Sequence, residues 1–235
     1  MDTLIKKIKF EGKIVAKSGL HIGGTNSAMA IGGPDSTVIR NPIDNKPYIP
    51  GSSLKGKMRA LIEIADGTID TVNMGNVRYA ATQDMNTVSA RLFGSAKNDE
   101  SQRPSKLIVR DGKLLSDDSL FTNTDLPYSE SKTEVVIDRI TSKAMPRQLE
   151  RVPAGAEFRL DMVLNIFDGD NEKELIETVM RGLRLVQDDY LGGSGSRGSG
   201  QVEIVLDKIT ERPVDFYKTE TGEEDITNKY SLNKN

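Results

Sequence analysis

A single carboxylate in a glycine-rich loop is the residue of this sequence with the most direct chemical use. Asp35 is the only acid between Glu11 and Asp44, and it follows a Gly-Gly-Pro run directly before Ser36. One such carboxylate can bind Mg²⁺ together with water and phosphate oxygens, and it can also act as a general base. A lone Asp before a strand is usually a turn residue. The spacing alone does not separate these roles.

The histidine and cysteine content excludes several catalytic classes. His21 is the only histidine, and the chain has no cysteine. Neither a Ser-His-Asp triad nor a cluster of histidines around a metal can therefore be proposed from spacing, and thiol chemistry and disulfides are excluded. His21 lies in the run 18–24, SGLHIGG, whose glycines let backbone N–H groups approach an anion. The alternative for this run is a simple turn with a capping histidine.

Residues 50–59, PGSSLKGKMR, place two hydroxyl groups and three cations at the start of a predicted helix. A helix N-terminus favours anions through its free N–H groups and its dipole. The side chains that would form this phosphate-binding edge are Ser52, Ser53, Lys55, Lys57 and Arg59. The alternative is an ordinary solvated helix face. The segment is not a Walker A loop, because its glycines and hydroxyls do not have that spacing.

A second glycine-rich segment carries one cation. Residues 192–200 contain five glycines and Arg197. A flexible linker is the compositional alternative, but a loop that wraps a ligand's backbone fits better between a core helix and a core strand. Four basic residues against one acid also lie between Arg139 and Arg151, although the net charge is −3. Because an electrostatic field falls off over a Debye length of ~8–10 Å, a local basic groove on an acidic body can bind phosphates.

Hydrophobic periodicity indicates which elements position these segments. Residues 5–17, 157–167 and 202–206 alternate apolar and polar side chains, which is typical of half-buried strands. The runs 107–109 and 113–115 flank Asp111-Gly112, which favours a tight hairpin turn.

Two segments have helical spacing. Leu54, Met58 and Leu61 form one apolar stripe, for which Ser52 or Ser53 is the expected N-cap. Residues 175–186 form a second stripe. For this helix, Asn171 and Glu174 have the spacing of a capping box, and Gly192-Gly193 is the expected stop. The order of elements predicts an α+β fold of the ferredoxin-like βαββαβ type, which is also the fold of RNA-recognition-motif (RRM) domains.

The length of 235 residues suits one elaborated domain or two small ones. Polar stretches at about 66–90, 95–105 and 116–156 are expected to be insertions, and the tail at 213–235 is expected to be only loosely ordered. No apolar run approaches the ~18 residues that span a bilayer. The first residues are those of a strand and not of a secretory signal. A cytoplasmic protein is therefore expected.

Several of these segments occur together in one known family. The runs are LHIGG, PGSSLKGKMR, RLFG, DRIT, PRQLERV and DYLGGSGSRGSGQV, in that order along the chain. In this combination the sequence resembles the third-subunit family of the Csm complex, the backbone protein of type III-A CRISPR effectors within the RAMP superfamily. The resemblance extends from about residue 5 to residue 207. The family's catalytic loop usually reads Ile-Asp-Ser-Pro, whereas here Gly33-Pro34 precede Asp35 and Thr37 replaces the proline.

The resemblance implies a fold, an activity and a set of partners. It implies one domain, 1–235, with an RRM-like palm, lid segments inserted at about 66–105, and a β-hairpin thumb in the region 116–156. The thumb should fall within about 120–147, around Tyr128, Val136 and Met145. Copies of the chain would stack head to tail on a guide RNA beside other Csm subunits. Single-stranded target RNA paired to the guide would be cut at regular intervals, in a reaction that needs Mg²⁺ or another divalent metal.

The resemblance also assigns residues. Asp35 is implied as the catalytic residue and as the metal ligand. The implied RNA contacts are His21, Gly23, Gly24, Ser52, Ser53, Lys55, Lys57, Arg59, Arg139, Arg147 and Arg197.

Three alternatives stay open at this point. The first is a non-catalytic, structural RAMP subunit or another RAMP subunit that caps the assembly. The second is a guide-processing endoribonuclease that uses His21 as a general acid or base. The third is a stand-alone RRM-like binder that stacks bases on exposed aromatic side chains. With 5% aromatic residues and no tryptophan, the chain offers few side chains for that third mode.

Overall fold

A computed structural model describes residues 3–24, 36–74, 77–82, 84–95 and 104–232, with only the backbone of 71–80. Asp35, the residue predicted to be catalytic, lies outside these ranges. The helices and strands follow one another along the chain as β1 (Leu4–Ala16), β2 (Tyr48–Ile49), α1 (Gly51–Ala65), β3 (Thr71–Met74), β4 (Val77–Ala80), α2 (Val88–Phe93), β5 (Leu107–Val109), β6 (Gly112–Lys113), β7 (Glu130–Ile137), β8 (Ala144–Arg151), β9 (Glu157–Phe167), α3 (Glu172–Asp188), β10 (Val202–Pro213), α4 (Phe216–Thr219) and β11 (Glu224–Asp225).

The core is an antiparallel sheet of five strands in the order β11-β10-β1-β9-β5. Alternation in β1 buries Ile8, Phe10 and Ile14 on one face, as the period of two predicts. Phe10 lies opposite Met162 of β9 and Ile209 of β10, and both partners are fully buried. The predicted βαββαβ unit is confirmed as β1-α1-β5-β9-α3-β10.

Helices α1 and α3 pack against each other over the buried face of the sheet. Gly182 of α3 allows their close approach, because a Cβ at this position would meet Ile62 Cδ1 at 3.0 Å and Met58 Cε at 3.1 Å. The predicted stripe of α3 is buried as expected, whereas in the stripe of α1 Leu54 and Met58 are buried and Leu61 is only half-buried. Each large apolar side chain removed from water contributes about 1.5–3 kcal/mol. Asn171 caps α3 by accepting a hydrogen bond from the Glu174 N–H at 3.3 Å, which confirms the predicted start of that helix.

Two local predictions are wrong. Residues 107–109 and 113–115 do not pair with each other. Instead β5 pairs with β9 and β6 pairs with β2. No hairpin therefore forms at Asp111, whose carboxylate instead accepts the Gly51 N–H at 2.8 Å at the start of α1. The N-cap of α1 is Pro50 without a side-chain hydrogen bond, so neither Ser52 nor Ser53 is the cap. A distant aspartate satisfies the helix terminus that the local serines were expected to satisfy.

The remaining segments leave the sheet or return to it. The hairpin of β7 and β8 falls within the predicted thumb region, and the segment 66–95 contains the β3–β4 hairpin and α2. The tail after Pro213 was expected to be loosely ordered, yet it pairs with β10 through β11 and buries Ile226 and Leu232. Within the described ranges, no helix is both long enough and apolar enough to cross a bilayer.

Candidate nucleic-acid interface

His21 lies at the junction of four chain segments. It is 7% exposed, and its Nδ1 donates a hydrogen bond to the Glu150 carbonyl oxygen at 2.6 Å. Its Nε2 is 3.2 Å from Ser36 Oγ, and its carbonyl oxygen accepts the Gly193 N–H at 2.8 Å. The anion loop 18–24, the segment after Asp35, the end of β8 and the glycine-rich loop therefore all meet at one histidine.

The segment that follows Asp35 is held by main-chain hydrogen bonds on both sides. Gly24 N donates to Thr37 O at 3.0 Å and Ile39 N donates to Ile22 O at 2.9 Å, which pairs this segment with the anion loop. On the other side Ser36 O accepts the Glu150 N–H at 3.0 Å. Ser36 is the immediate neighbour of Asp35 in sequence, so the described structure fixes the residue that leads directly out of the predicted catalytic loop.

Glu150 anchors the same junction with its carboxylate. Its side chain is 5% exposed and accepts hydrogen bonds from Val38 N at 2.8 Å, from Arg40 at 2.6 Å and from Ser129 Oγ. Burial raises the pKa of Glu150, but these three hydrogen bonds outweigh burial and hold the pKa below its ordinary value. The Glu150 network, meaning Glu150 with Val38, Arg40 and Ser129, joins the segment after Asp35 to the base of the β7–β8 hairpin.

The glycine-rich loop folds onto the anion loop through its backbone. Gly200 N donates to Gly19 O at 2.9 Å, and Leu191 N donates to Gly200 O at 2.8 Å. Gly192 has φ of +81°, and a Cβ there would stand 2.2 Å from the His21 carbonyl oxygen. Only glycine satisfies both conditions without strain. These contacts contradict the flexible-linker alternative.

Helix α1 presents its cations in two directions. Lys57 Nζ is 2.7 Å from Asp189 and 3.6 Å from the centre of the Tyr190 ring, so it faces the glycine-rich loop. Lys55 is half-buried, and among the described residues no ion-pair partner is seen for it. Burial lowers the pKa of Lys55, and the neighbouring charge of Arg59 lowers it further. An anion near Lys55 would relieve both effects.

Arg59 serves the protein itself. Its guanidinium donates to the buried Glu63 carboxylate at 2.7 Å and to Thr82 O at 2.8 Å. Glu63, which is 1% exposed, also accepts from Thr82 N and from Ser89 Oγ at 2.8 Å. The pair therefore fastens the lid segment to α1. Ser52 is exposed and Ser53 is half-exposed in the first turn, so both serines are accessible. The structure thus brings Lys57 to the glycine-rich loop but gives Arg59 internal partners.

The β7–β8 hairpin has an apolar end. Val136 lies opposite Met145 in register, at 41% and 54% exposure, and Ile140 in the connecting turn is 95% exposed. Arg139 in the turn and Arg147 of β8 are exposed. Both arginines lie on the hairpin, and Arg147 stands opposite Glu134 in register.

Tyr128 does not belong to the end of this hairpin. Its ring packs edge-on against Phe121 at 5.2 Å, before β7 begins. The arrangement as a whole is a ridge of glycines and cations beside a projecting apolar hairpin. Such a surface suits a nucleic-acid backbone with some of its bases displaced.

The sequence reasoning missed Glu150, Arg40 and Glu63 as residues that hold this surface together. Two weak signals for them exist in the sequence. Glu150 is the one acid in the basic stretch 139–151, and Glu63 stands four residues after Arg59 on the same helix face. Neither signal indicates the partners that are distant in sequence, which are Arg40 for Glu150 and Thr82 and Ser89 for Glu63.

The described residues contain no group of three His, Asp or Glu side chains that could hold a metal. Glu150 contacts Ser36, but its carboxylate oxygens are already used by Arg40, Ser129 and Val38. A protein-only metal site therefore has no support in the described residues. A site made of Asp35, water and RNA phosphates remains compatible with them, since Mg²⁺ commonly uses one or two carboxylates plus phosphate oxygens.

Comparisons with known proteins agree with this architecture. The model of the RAMP superfamily matches residues 13–203. The protein named CRISPR system Cms endoribonuclease Csm3 from Streptococcus thermophilus is 43% identical over 208 residues, covering 87% of this chain and 90% of that protein. The protein of the same name from Methanothermobacter thermautotrophicus is 38% identical over 237 residues, covering 94% and 93%.

A solved structure of a Csm3–Csm4 subcomplex, from the type III-A CRISPR-Cas interference complex, superposes with a TM-score of 0.60 at 29% identity. The match covers 95% of this chain and 90% of that one. The predicted ferredoxin-like palm is thereby confirmed.

Proposed function

The chain belongs to the RAMP superfamily and, within it, to the Csm3 endoribonuclease family, and on this basis we propose that it is the backbone subunit of a type III-A CRISPR effector. In this role it binds guide RNA and cleaves guide-paired target RNA at regular intervals. The observation that carries the proposal is the meeting, at His21, of the anion loop, the segment after Asp35, the glycine-rich loop and the hairpin base.

Asp35 is the proposed catalytic residue. Ser36, directly after it, is fixed by Glu150 and stands against His21, so the loop returns to the palm at a defined point beside the cationic ridge. Bound Mg²⁺, held by Asp35, water and phosphate oxygens, would stabilise the charge that develops on the phosphate. The chain's own contribution is to hold the nucleotide so that its 2′-OH lies in line with the neighbouring phosphorus. Asp35 as a general base is the competing role for the same residue.

The proposed RNA contacts divide by distance from the palm. Ser52, Ser53, Lys55 and Lys57 line the start of α1, Gly23 and Gly24 offer backbone to a phosphate, and Arg197 extends from the glycine-rich loop. Arg139 and Arg147 would contact RNA where the hairpin separates bases. His21 and Arg59 would act chiefly by positioning, because their polar atoms already have partners inside the protein.

Those internal partners disfavour the alternative of a guide-processing enzyme that uses His21. The imidazole is 7% exposed, and both ring nitrogens lie within hydrogen-bond distance of protein oxygens. A general acid or base must instead reach the proton that it transfers. A purely structural RAMP subunit is the alternative that only an activity measurement separates from the proposal.

The partners follow from the same role. They are a CRISPR guide RNA, single-stranded target RNA, further copies of the chain stacked head to tail, and other Csm subunits. The exposed apolar hairpin and the exposed arginines on it give surfaces for such contacts. A cytoplasmic location, where guide and target transcripts are found, is part of the proposal.

The test is cleavage of guide-matched RNA by the assembled complex in Mg²⁺, with target binding measured in parallel. We expect Asp35→Ala to abolish cleavage with binding retained, chelation of divalent metal to have the same effect, and His21→Gln to retain cleavage. Unchanged cleavage by Asp35→Ala together with its loss in His21→Gln would reverse the assignment. A purified complex whose ratio of absorbance at 260 and 280 nm shows no RNA would contradict guide binding.

A further inference from the structure

An ion cluster joins the glycine-rich loop to the β7–β8 hairpin. Arg197 Nη1 is 2.9 Å from Glu134 Oε2, and Lys132 Nζ is 3.1 Å from Glu134 Oε1. Lys132 Nζ also donates to the Arg197 carbonyl oxygen at 3.3 Å. Lys132 and Glu134 are two residues apart in β7 and therefore project from the same face of the strand. Two cations from separate segments thus converge on one carboxylate.

The three side chains differ in accessibility. Arg197 is 61% exposed, Lys132 is 30% exposed, and the Glu134 carboxylate between them is 15% exposed. The hydrogen bonds from Lys132 and Arg197 hold the pKa of Glu134 below its ordinary value, so the carboxylate stays charged at neutral pH. Both cations can thus be reached from solvent, while the anion lies behind them as their internal counterion.

The surroundings of the cluster leave room for a chain that carries phosphates. Gly198, next to Arg197, has φ of +84°, and among the described residues other than its two chain neighbours no heavy atom lies within 4 Å of the place where its Cβ would stand. The surface directly beside Arg197 is therefore open. Arginine and lysine together are the side chains that bind phosphate most readily, the first through a planar fork and the second as a point charge.

We propose that Lys132 and Arg197 form a phosphate subsite for RNA at the base of the hairpin, and that Glu134 is the internal counterion with which the RNA phosphate competes. This inference rests on the proposed function, since it requires an RNA backbone that passes between the palm and the hairpin. It adds Lys132 to the RNA contacts and gives Glu134 a negative effect on RNA affinity. A carboxylate that only fastened the loop to the hairpin would instead support RNA binding.

The experiment measures the affinity of the full-length chain for a fluorescently labelled oligouridine at several salt concentrations. Oligouridine is chosen because a phosphate contact does not depend on base sequence. The variants are Lys132→Gln, Lys132→Arg and Glu134→Gln. The charge-matched controls are Lys218→Gln and Glu177→Gln, at positions 74% and 58% exposed and outside the hairpin and its loop. Thermal unfolding of each variant reports on folding.

We expect Lys132→Gln to lower affinity and to reduce the salt dependence, with the slope of log K against log salt changing by about 0.7 for one lost contact to a single strand. Lys132→Arg should restore affinity, and Glu134→Gln should raise it severalfold while folding is retained. Unchanged affinity in Lys132→Gln, or lowered affinity in Glu134→Gln, would overturn the subsite. Wild-type protein that binds no RNA would overturn the proposed function itself and the subsite with it.

Discussion

The base and the tip of the β7–β8 hairpin differ in the polarity and the burial of their side chains. At the base, Glu150 and Ser129 are almost fully buried and every oxygen of the Glu150 carboxylate has a donor. At the tip, Val136, Met145 and Ile140 are 41%, 54% and 95% exposed. One hairpin therefore has buried polar groups where it joins the palm and exposed apolar groups where it ends.

This difference between base and tip indicates two roles: the base orients the hairpin, and the tip contacts a partner. A buried carboxylate with several charged or polar donors tolerates few arrangements, because any donor that it loses leaves a costly unpaired group. The network therefore fixes the direction of the hairpin and the position of the segment after Asp35. Exposed apolar side chains do not stabilise the isolated chain, and their clustering marks a surface for a partner. We expect that partner to be the base-paired guide and target.

The largest effect is expected at the base. Glu150→Ala removes the ion-pair partner of the mostly buried Arg40 and the acceptor of the Val38 N–H, and it leaves Ser129 Oγ with only the Pro127 carbonyl oxygen, at 3.3 Å, as an acceptor. Breaking a buried ion pair from one side typically costs about 3–5 kcal/mol. Chemical denaturation of wild type and variant measures the difference, with Glu177→Ala on the exposed face of α3 as the control. Equal stability of Glu150→Ala and the control would show that the base is not held by this network.

A smaller effect is expected from pH. Because the folded pKa of Glu150 lies below its ordinary value of 4.5, the unfolded chain takes up the proton first as pH falls. The stability that the charged carboxylate contributes is thus fully present above the ordinary pKa and is lost as pH falls through the folded pKa. Each unit of lowering corresponds to about 1.4 kcal/mol.

Denaturation of wild type and Glu150→Gln across this range measures the loss. The difference in unfolding free energy between them should be constant at neutral pH and shrink below pH 4.5. A difference that grows with acidification would mean that burial, and not the three donors, dominates at Glu150.

The smallest effect on stability is expected at the tip. Val136→Ser and Ile140→Ser change exposed side chains and should alter the free energy of unfolding by less than about 0.5 kcal/mol. The same variants should reduce target cleavage by the assembled complex. Ile5→Ser is the matched control, since Ile5 is 42% exposed on β1, outside the hairpin. If a tip variant destabilised the chain while cleavage stayed normal, the tip would serve stability and not partner contact, which would contradict the proposed difference between base and tip.

Local pattern predicted the palm well. The alternation around Phe10 and the stripe through Leu175 and Val179 mark buried faces directly. Apolar residues that recur with the period of a strand or a helix lie on one face of that element, and this face packs against the core. The cap at Asn171 is also predictable from local sequence, because its hydrogen-bond partner is only three residues away. The family resemblance added the catalytic assignment of Asp35, which lies outside the described residues and stays a prediction.

Long-range partners were not predictable in this way. Arg40 and Glu150 are 110 residues apart, and Asp111 reaches the start of α1 across 60 residues. An Asp-Gly pair favours a hairpin turn. The residues next to Asp111 do not indicate that its side chain would instead bind the start of a distant helix. Arg59 similarly lies in a sequence segment that predicts a phosphate contact, yet its guanidinium forms an ion pair with the buried Glu63. Side chains that fasten one segment to another are visible only once the fold brings them together.

The most direct test of the account is the pattern of cuts on one guide-matched RNA by complexes assembled with wild type or with Asp35→Asn. The account predicts that wild type gives a ladder of fragments at constant spacing, one cut for each copy of the chain along the guide. Asp35→Asn should give no ladder, although the target stays bound. A ladder that persists in Asp35→Asn, or cuts without regular spacing in wild type, would contradict it.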